Sequence, residues 1–569
     1  MRGVMPAPRI ARAILRAGAV RAAVLAAVLA AAPASGAAMA QAAGSASDEA
    51  DAVRSLVAKA SLLPLKRPDF AAYRSALDTF YATSAYAPRW TVPNAPWRAV
   101  LDELAAAPTH GLDASDYDVD WLRREFEAIA AGDRAAERRP RADVALTVSL
   151  FRLLSDLHSG RVTPERAGFS FKVSREPFDL AAVAQTALAT GNVHGTVVGA
   201  EPSFPLYLRL EEALARYRKL AAEPLQPLPP LPAKLRKIDP GGPYEGTAAI
   251  AERLRRTGDL PADAALAPDH RYDGALVDAV RAFQDRQGLK PDGVLGRDTL
   301  AALSVPFSAR VRQLELSLER LRWLPDFEPG PLIAVNIPSF RLWAFATGRG
   351  DVAAKLTMPV IVGVAANARK TPVFIGEMRY VEFSPYWNVT PSIQRGEVVP
   401  RLRRDPAYWQ RENFEAVRVD GNGEPITVLD AATIEGLASG ALRVRQRPGG
   451  NNALGPVKFV LPNTMNIYLH GTPAQQLFSQ TRRDFSHGCI RVEDPPALAA
   501  FVLSDQPEWT QERIAQAMDA GKMSIAKLTR PIPVVIFYTT AIVDAKNRVL
   551  FQSDIYGYDA KLEAALKAR

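Results

Sequence analysis

A single cysteine occurs in 569 residues, and two of the six histidines stand close to it. His470, His487 and Cys489 fall within twenty positions, in the run HGTPAQQLFSQTRRDFSHGCIRV. A free thiol with a pKa near 8.5 is only about 3% thiolate at neutral pH. A histidine within hydrogen-bond reach can take that proton, leaving a nucleophilic thiolate paired with an imidazolium. Arg491 adds positive field beside the sulfur, and Arg482 or Arg483 add it less directly. Gly488 lets the chain turn sharply before the cysteine and can aim backbone N–H groups at a developing oxyanion. These parts suit acyl transfer: attack on a carbonyl, a thioester, then release to a second nucleophile. Spacing alone leaves the base open, because His487 lies two residues from the sulfur and such residues share a face in an extended segment. A zinc site of two histidines and a cysteine needs a fourth ligand or a water, and no acid stands at ligand spacing.

The elements that must position these groups are short strands. His470 follows the strand-like Ile467-Tyr468-Leu469, and Cys489 begins a second apolar element, Cys489-Ile490-Arg491-Val492. From about 330 the chain runs in β-branched or alternating segments (332–337, 341–346, 355–364, 375–383, 457–461) divided by Gly, Pro and Asn. Residues 388–450 are polar and mixed, too long for a hairpin loop, which predicts an insertion that covers a site. Beyond 497 a helical stretch precedes the strand-like 533–538, and 541–569 reads as a C-terminal tail.

Upstream the period is helical. Residues 61–223 carry stripes such as Val144, Val148, Phe151 and Leu154. His110, His158 and His194 occur there singly and read as structural. Five prolines in 224–232 predict an extended linker over 224–240. A compact helical unit over 241–305 follows, then a connecting helix within 306–330. At the N-terminus, residues 1–40 hold five arginines and no acids before the apolar run 22–32, with Ala38-Met39-Ala40 preceding Gln41. That is the layout of a secretory signal, and 41–60 reads as a mobile lead-in. Eleven apolar residues interrupted by Pro33 are too few to span a bilayer. Export is expected, periplasmic or wall-associated, with membrane anchoring the alternative if the signal is not cleaved. Without the five arginines the net charge of +9 falls to +4, too weak to argue for nucleic acid. A single cysteine rules out an intramolecular disulfide and a multi-cysteine zinc site.

Two stretches carry resemblances. LVDAVRAFQDRQGLKPDGVLGRDTLAAL resembles the peptidoglycan-binding module, a small three-helix domain. HG, then SHGC followed by Ile-Arg, resembles the active-site signature of the L,D-transpeptidase (YkuD) family. TPVFIGEMRYVEFSPYWNVTPSI is similar to that family's larger, YcbB-type members, and LDELAAAPTHGLDASDY, LHSGRVTPERAGF and FPLYLRLEEALARYRKLA to their scaffold region. The resemblance implies an α+β multidomain chain: helical scaffold, peptidoglycan-binding module, and a mainly-β catalytic domain over 331–540 with a capping insertion near 388–450.

It also implies roles. Cys489 is the acylated nucleophile and His470 its proton acceptor and donor, with a carbonyl near Gly471 orienting the ring. Ser486, His487 and Gly488 shape the loop; N–H groups of Gly488–Cys489, with Tyr468, serve the oxyanion; Arg491 is the family's basic position. The implied partners are peptidoglycan stem peptides, a donor tetrapeptide and an acceptor stem, with carbapenem-type β-lactams as inhibitors and no metal or organic cofactor. The implied reaction releases terminal D-alanine and links third-position diamino acids. Water as acceptor would make an L,D-carboxypeptidase or hydrolase of the same fold, and without chemistry the chain would be a wall-binding scaffold.

Overall fold

The computed structural model describes residues 34–569 except 134, 136, 172–177, 233–234, 348–353, 367–368 and 422. Most of the expected signal, residues 1–33, lies outside the described residues. The scaffold is a helical bundle built around the helix Arg138–Ser159, where Val144, Val148, Phe151 and Leu154 are fully buried. The segment read as a mobile lead-in belongs instead to the helix Ala34–Lys59. Val53 and Val57, four apart on one face, are buried in the bundle core. His110 is not a lone histidine: its Nδ1 lies 2.6 Å from Glu201 and 2.9 Å from Glu211. Burial alone would depress its pKa, but the hydrogen bonds to Glu201 and Glu211 carry it up to about 9, so the ring is an imidazolium at neutral pH.

The proline-rich segment does not hang free. Leu228 and Leu231 pack on the helical module, and Tyr244 donates its hydroxyl to the Pro229 carbonyl at 2.6 Å. The module itself comprises helices Thr247–Thr257, Ala275–Arg286 and Arg297–Ser304 around Ile250, Leu254, Leu276, Val280 and Phe283. Gln284 explains the turn motif that follows it. Its amide oxygen accepts from Gly293 N–H at 2.8 Å and its nitrogen donates to Asp292 and Val294, so one side chain closes the loop between two helices. Arg286 pairs with Asp259 and donates to the Val549 carbonyl at 2.9 Å, tying the module to the C-terminal region.

The remainder is a closed sheet of short strands: β1 (Leu332–Asn336), β2 (Arg341–Phe345), β3 (Leu356–Gly363), β4 (Phe374–Phe383), β5 (Val457–Val460), β6 (Leu469–His470), β7 (Asp484–Ser486), β8 (Ile490–Val492) and β9 (Ser524–Phe537). Their order is β7-β3-β8-β6-β5-β4-β9-β1-β2, and β2 pairs back onto β3, closing the ring. Alternation sorts each strand. Val381, Phe383, Val457, Phe459, Leu469, Ile490 and Val492 fill the interior, so their neighbours in sequence face outward.

Between β4 and β5 the chain leaves the barrel and builds a separate three-stranded sheet from Trp387–Asn388, Leu442–Gln446 and Phe414–Arg418, with its own core of Leu402, Trp409, Phe414, Leu437 and Val444. A π-helical turn, Gln394–Val398, lies within this cap. Gln394 stitches it together, donating to the carbonyls of Leu437 and Leu442 and accepting from Val444 N–H. Residues 541–569 are no loose tail. They form a hairpin, Ala541–Val543 with Val549–Phe551, and a helix Tyr558–Lys567 whose Leu562 enters the barrel core. Arg569 then reaches the scaffold and pairs with Asp156.

Candidate active site

β6 and β8 are adjacent and parallel, with Leu469 opposite Ile490 and His470 opposite Arg491. Residues in register on neighbouring strands share a face, and the interior face is taken by Leu469, Ile490 and Val492. Tyr468, His470, Cys489 and Arg491 therefore gather on the outer face. Cross-strand neighbours stand about 4.8 Å apart and diagonal ones about 7–8 Å, within side-chain reach. β5 extends the row, since Lys458 is in register with both His470 and Glu382.

His470 is buried, and its Nδ1 donates to the Gly471 carbonyl at 2.5 Å. With the proton held there, Nε2 carries the lone pair that can accept another. Burial, then the Arg491 charge, lowers the imidazole pKa to about 3. Cys489 is partly exposed, yet its surroundings desolvate the sulfur enough to raise the thiol pKa. Burial thus works against the charged form of both groups, the thiolate and the imidazolium. Sγ sits 3.5 Å from the Asn466 carbonyl, its hydrogen-bond acceptor.

Against burial, the interactions that favour the thiolate come first from Tyr468, through its backbone N–H and its phenol, then from the charges of Lys458 and Arg491. Arg482 and Arg483 are not part of this field. Arg482 pairs with Asp484 at 2.6 Å, and Arg483 bonds to the carbonyls of Gln480, Val360 and Phe340. The cation the sequence reading missed is Lys458, held 3.1 Å from Glu382 with its Nζ 4.8 Å from the centroid of the Tyr468 ring. A strand-period reading of 457–461 marks it as outward-facing, but only the β5–β6 register puts it beside His470.

The loop before the cysteine is rigidly tied. Gly488 has φ +123°, which an L side chain rarely adopts, and this breaks the extended path on which His487 and Cys489 would share a face. His487 points instead to the cap, its Nε2 2.7 Å from Glu397, a carboxylate also bound by Arg369 at 2.7 Å. Geometry therefore separates the two histidines that spacing left equal. Ser486 Oγ accepts from the Gly488 N–H at 3.1 Å and donates to the Cys489 carbonyl at 2.5 Å. The Gly488 N–H expected to serve an oxyanion is already engaged by that hydroxyl. Thr371 Oγ1 donates to the Gly488 carbonyl and accepts from Gly363 N–H, both at 2.8 Å. Tyr556, from the segment read as a tail, accepts from Thr371 N–H at 3.1 Å and donates to the Gly363 carbonyl. On the other side of the sulfur, Asn463 shapes the Asn466–Tyr468 turn, its amide contacting the carbonyls of Leu461 and Ile467 and the N–H groups of Met465 and Ile467.

A sole cysteine beside a buried neutral imidazole and a phenol, on a braced loop under a cap, defines a cysteine-dependent acyl-transfer domain. Comparison with known proteins matches three segments of the chain. Residues 330–536 match the L,D-transpeptidase catalytic domain (YkuD), residues 75–214 a scaffold domain, and residues 244–303 the "Putative peptidoglycan binding domain". The likeness to the YkuD family thus lies in residues 330–536, preceded by segments that match a scaffold domain and a peptidoglycan-binding domain. A Haemophilus influenzae protein described as a "Putative L,D-transpeptidase" is 34% identical over 284 residues, 49% of this chain and 55% of that one. The chain thus spans about half the length of the curated relative it matches. Two solved structures show weak likeness: an L,D-transpeptidase from Xylanimonas cellulosilytica (17% identity, TM-score 0.17, covering 54% of this chain and all of that one) and a fused Zn-dependent amidase/peptidase/peptidoglycan-binding protein from Clostridium acetobutylicum (11%, TM-score 0.15, covering 53% of this chain and all of that one).

Proposed function

We propose that this protein is an exported peptidoglycan L,D-transpeptidase that joins the third-position diamino acids of neighbouring stem peptides. The reading rests on one observation above others: the only cysteine shares a sheet face with a buried histidine whose Nδ1 proton is fixed by the Gly471 carbonyl. When a donor tetrapeptide stem displaces water from the site, His470 Nε2 takes the thiol proton as Cys489 Sγ attacks the carbonyl of the third residue. The tetrahedral intermediate collapses with cleavage of the bond to the terminal D-alanine, whose nitrogen receives the proton from His470. The thioester then passes to the side-chain amine of an acceptor stem, which gives up a proton to His470 Nε2; the ring hands it to Sγ, which leaves as the restored thiol. Tyr468, Lys458 and Arg491 favour the sulfur anion formed during attack and departure. The module over 244–303 retains the enzyme on the wall, and residues 1–40 direct export.

The test is mass spectrometry of muropeptides incubated with the full protein. Cross-linked dimers joined through third residues, with loss of D-alanine and none formed by Cys489→Ala, are expected. Trimmed monomers alone would assign water as the acceptor and make the enzyme a carboxypeptidase, while undiminished release by Cys489→Ala would remove the thiol from the mechanism. A carbapenem should add once, at Cys489.

A further inference from the structure

Across the closed sheet from β6, an apolar cavity of about 240 Å³ lies between the outer faces of β1, β2 and β9, the C-terminal hairpin and the start of the scaffold helix Pro205–Ala221. Alternation on β2 turns Leu342 and Ala344 into the barrel core and leaves Trp343 and Phe345 facing this space. Phe204, Phe327, Phe537 and Leu550 complete the apolar wall. Among the described residues no Ser, Thr, Asn, Gln or His lines it to read a peptide or a sugar. The charged lining groups are Arg209, Arg341, Arg548, Asp285 and Asp544. Asp544 is occupied, bound by Arg548 at 2.8 Å and by the N–H groups of Lys546 and Arg548. Asp544 and Glu212 favour the Arg209 charge electrostatically, yet its Nε and Nη1 are buried without a hydrogen-bond partner among the described residues, an unfavourable state for a guanidinium. Arg209 stands in the second turn of a helix that has no side-chain cap, so the positive end of the helix dipole opens on the same space.

We propose that this cavity binds an amphipathic anion, with a single alkyl or acyl chain among the aromatic rings and a carboxylate or phosphate head taken by Arg209 at the helix N-terminus. Charge and shape agree on this class. The described wall is mostly apolar, and the buried, unpartnered guanidinium nitrogens of Arg209 ask for an anionic end. A bound molecule would touch the scaffold helix and the catalytic barrel at once, joining the two bodies at a place remote from Cys489. The same chemistry is offered by a free fatty-acid-like amphiphile and by the chain of an anionic bilayer lipid.

Isothermal titration of the full chain with octanoate and octyl phosphate, kept as monomers, should give saturable one-to-one binding, with octanol weaker by about tenfold or more for want of the charged hydrogen bond. Arg209→Gln should weaken both anions by about tenfold while leaving octanol binding and the thermal melt unchanged. Phe345→Ala, at the rim, should weaken all three. Sedimentation with phosphatidylglycerol vesicles separates the sources: co-sedimentation that needs Arg209 and is competed by octanoate assigns a bilayer lipid, and its absence beside intact octanoate binding assigns a free amphiphile. The proposal is overturned if neither anion binds saturably, or if Arg209→Gln folds normally and binds the anions as tightly as the parent.

Discussion

Replacing Tyr468 by Phe tests how the sulfur is made reactive. The substitution keeps the ring, and with it the packing 5.6 Å from the His470 ring and under Lys458 Nζ, and removes only the phenol that donates to Cys489. A hydrogen bond to a charged acceptor contributes about 1.5–3 kcal/mol, which corresponds to a rise of roughly 1–2 units in the thiol pKa. At fixed neutral pH the thiolate fraction then falls by about 10–100-fold. A more basic thiolate is intrinsically more nucleophilic, with a Brønsted slope near 0.4–0.5, and this offsets about half the logarithmic loss. The expected net effect is an alkylation rate lower by about 3–10-fold at neutral pH, with the midpoint of its pH profile displaced upward by roughly 1–2 units. Because Cys489 is the only cysteine, iodoacetamide labelling of the whole protein followed from neutral to strongly alkaline pH reports this site alone. An unchanged midpoint in a folded Tyr468→Phe protein would show that the phenol does not act on the sulfur, leaving the backbone N–H and the two cations as its stabilisers.

Other outcomes follow from the same geometry. Gly488→Ala forces a side chain onto φ +123°, with its Cβ 3.5 Å from Ile467, and should cost about 1–3 kcal/mol of local strain. Carbapenem acylation should fall sharply in that variant while the urea midpoint moves modestly; normal acylation would mean the loop tolerates the strain. His470 has a folded pKa of about 3, below its ordinary value near 6.5, so the unfolded chain binds this proton first as pH falls. Its contribution is complete above about pH 6.5 and is lost as pH drops toward 3; urea midpoints should decline more steeply over that window in the parent than in His470→Gln, and equal slopes would contradict a buried neutral ring. Glu397→Ala removes the carboxylate shared by His487 and Arg369, so hydrogen exchange in 391–404 should quicken with little change in the barrel. Thr371→Val removes the hydroxyl between Gly363 and Gly488, which should destabilise the protein by about 1–3 kcal/mol and slow acylation; an unaltered rate would separate the network from the chemistry.

The sequence by itself determined the nucleophile, the two candidate bases, the period change near 330 and the three-part order of the chain. Those signals are local: a lone thiol near imidazoles, alternation along 457–461 and 489–492, and the AFQ…DG turn whose Gln284 closes its own loop. It misjudged the ends. Residues 41–60 and 541–569 look like lead-in and tail because their composition is unremarkable, yet Val53, Val57, Leu562 and Tyr556 are buried by elements far away in sequence. Only the tertiary structure turned His487 toward Glu397, left His470 on the face shared with Cys489, and revealed Lys458, Asn463 and Thr371. That arrangement depends on strand register, which a one-residue shift would reverse face for face, and on a positive φ at Gly488 that turns His487 toward Glu397. The electrostatics were likewise beyond the sequence: residue types say that a thiol and an imidazole can exchange a proton, while burial in the folded chain works against the charged form of each.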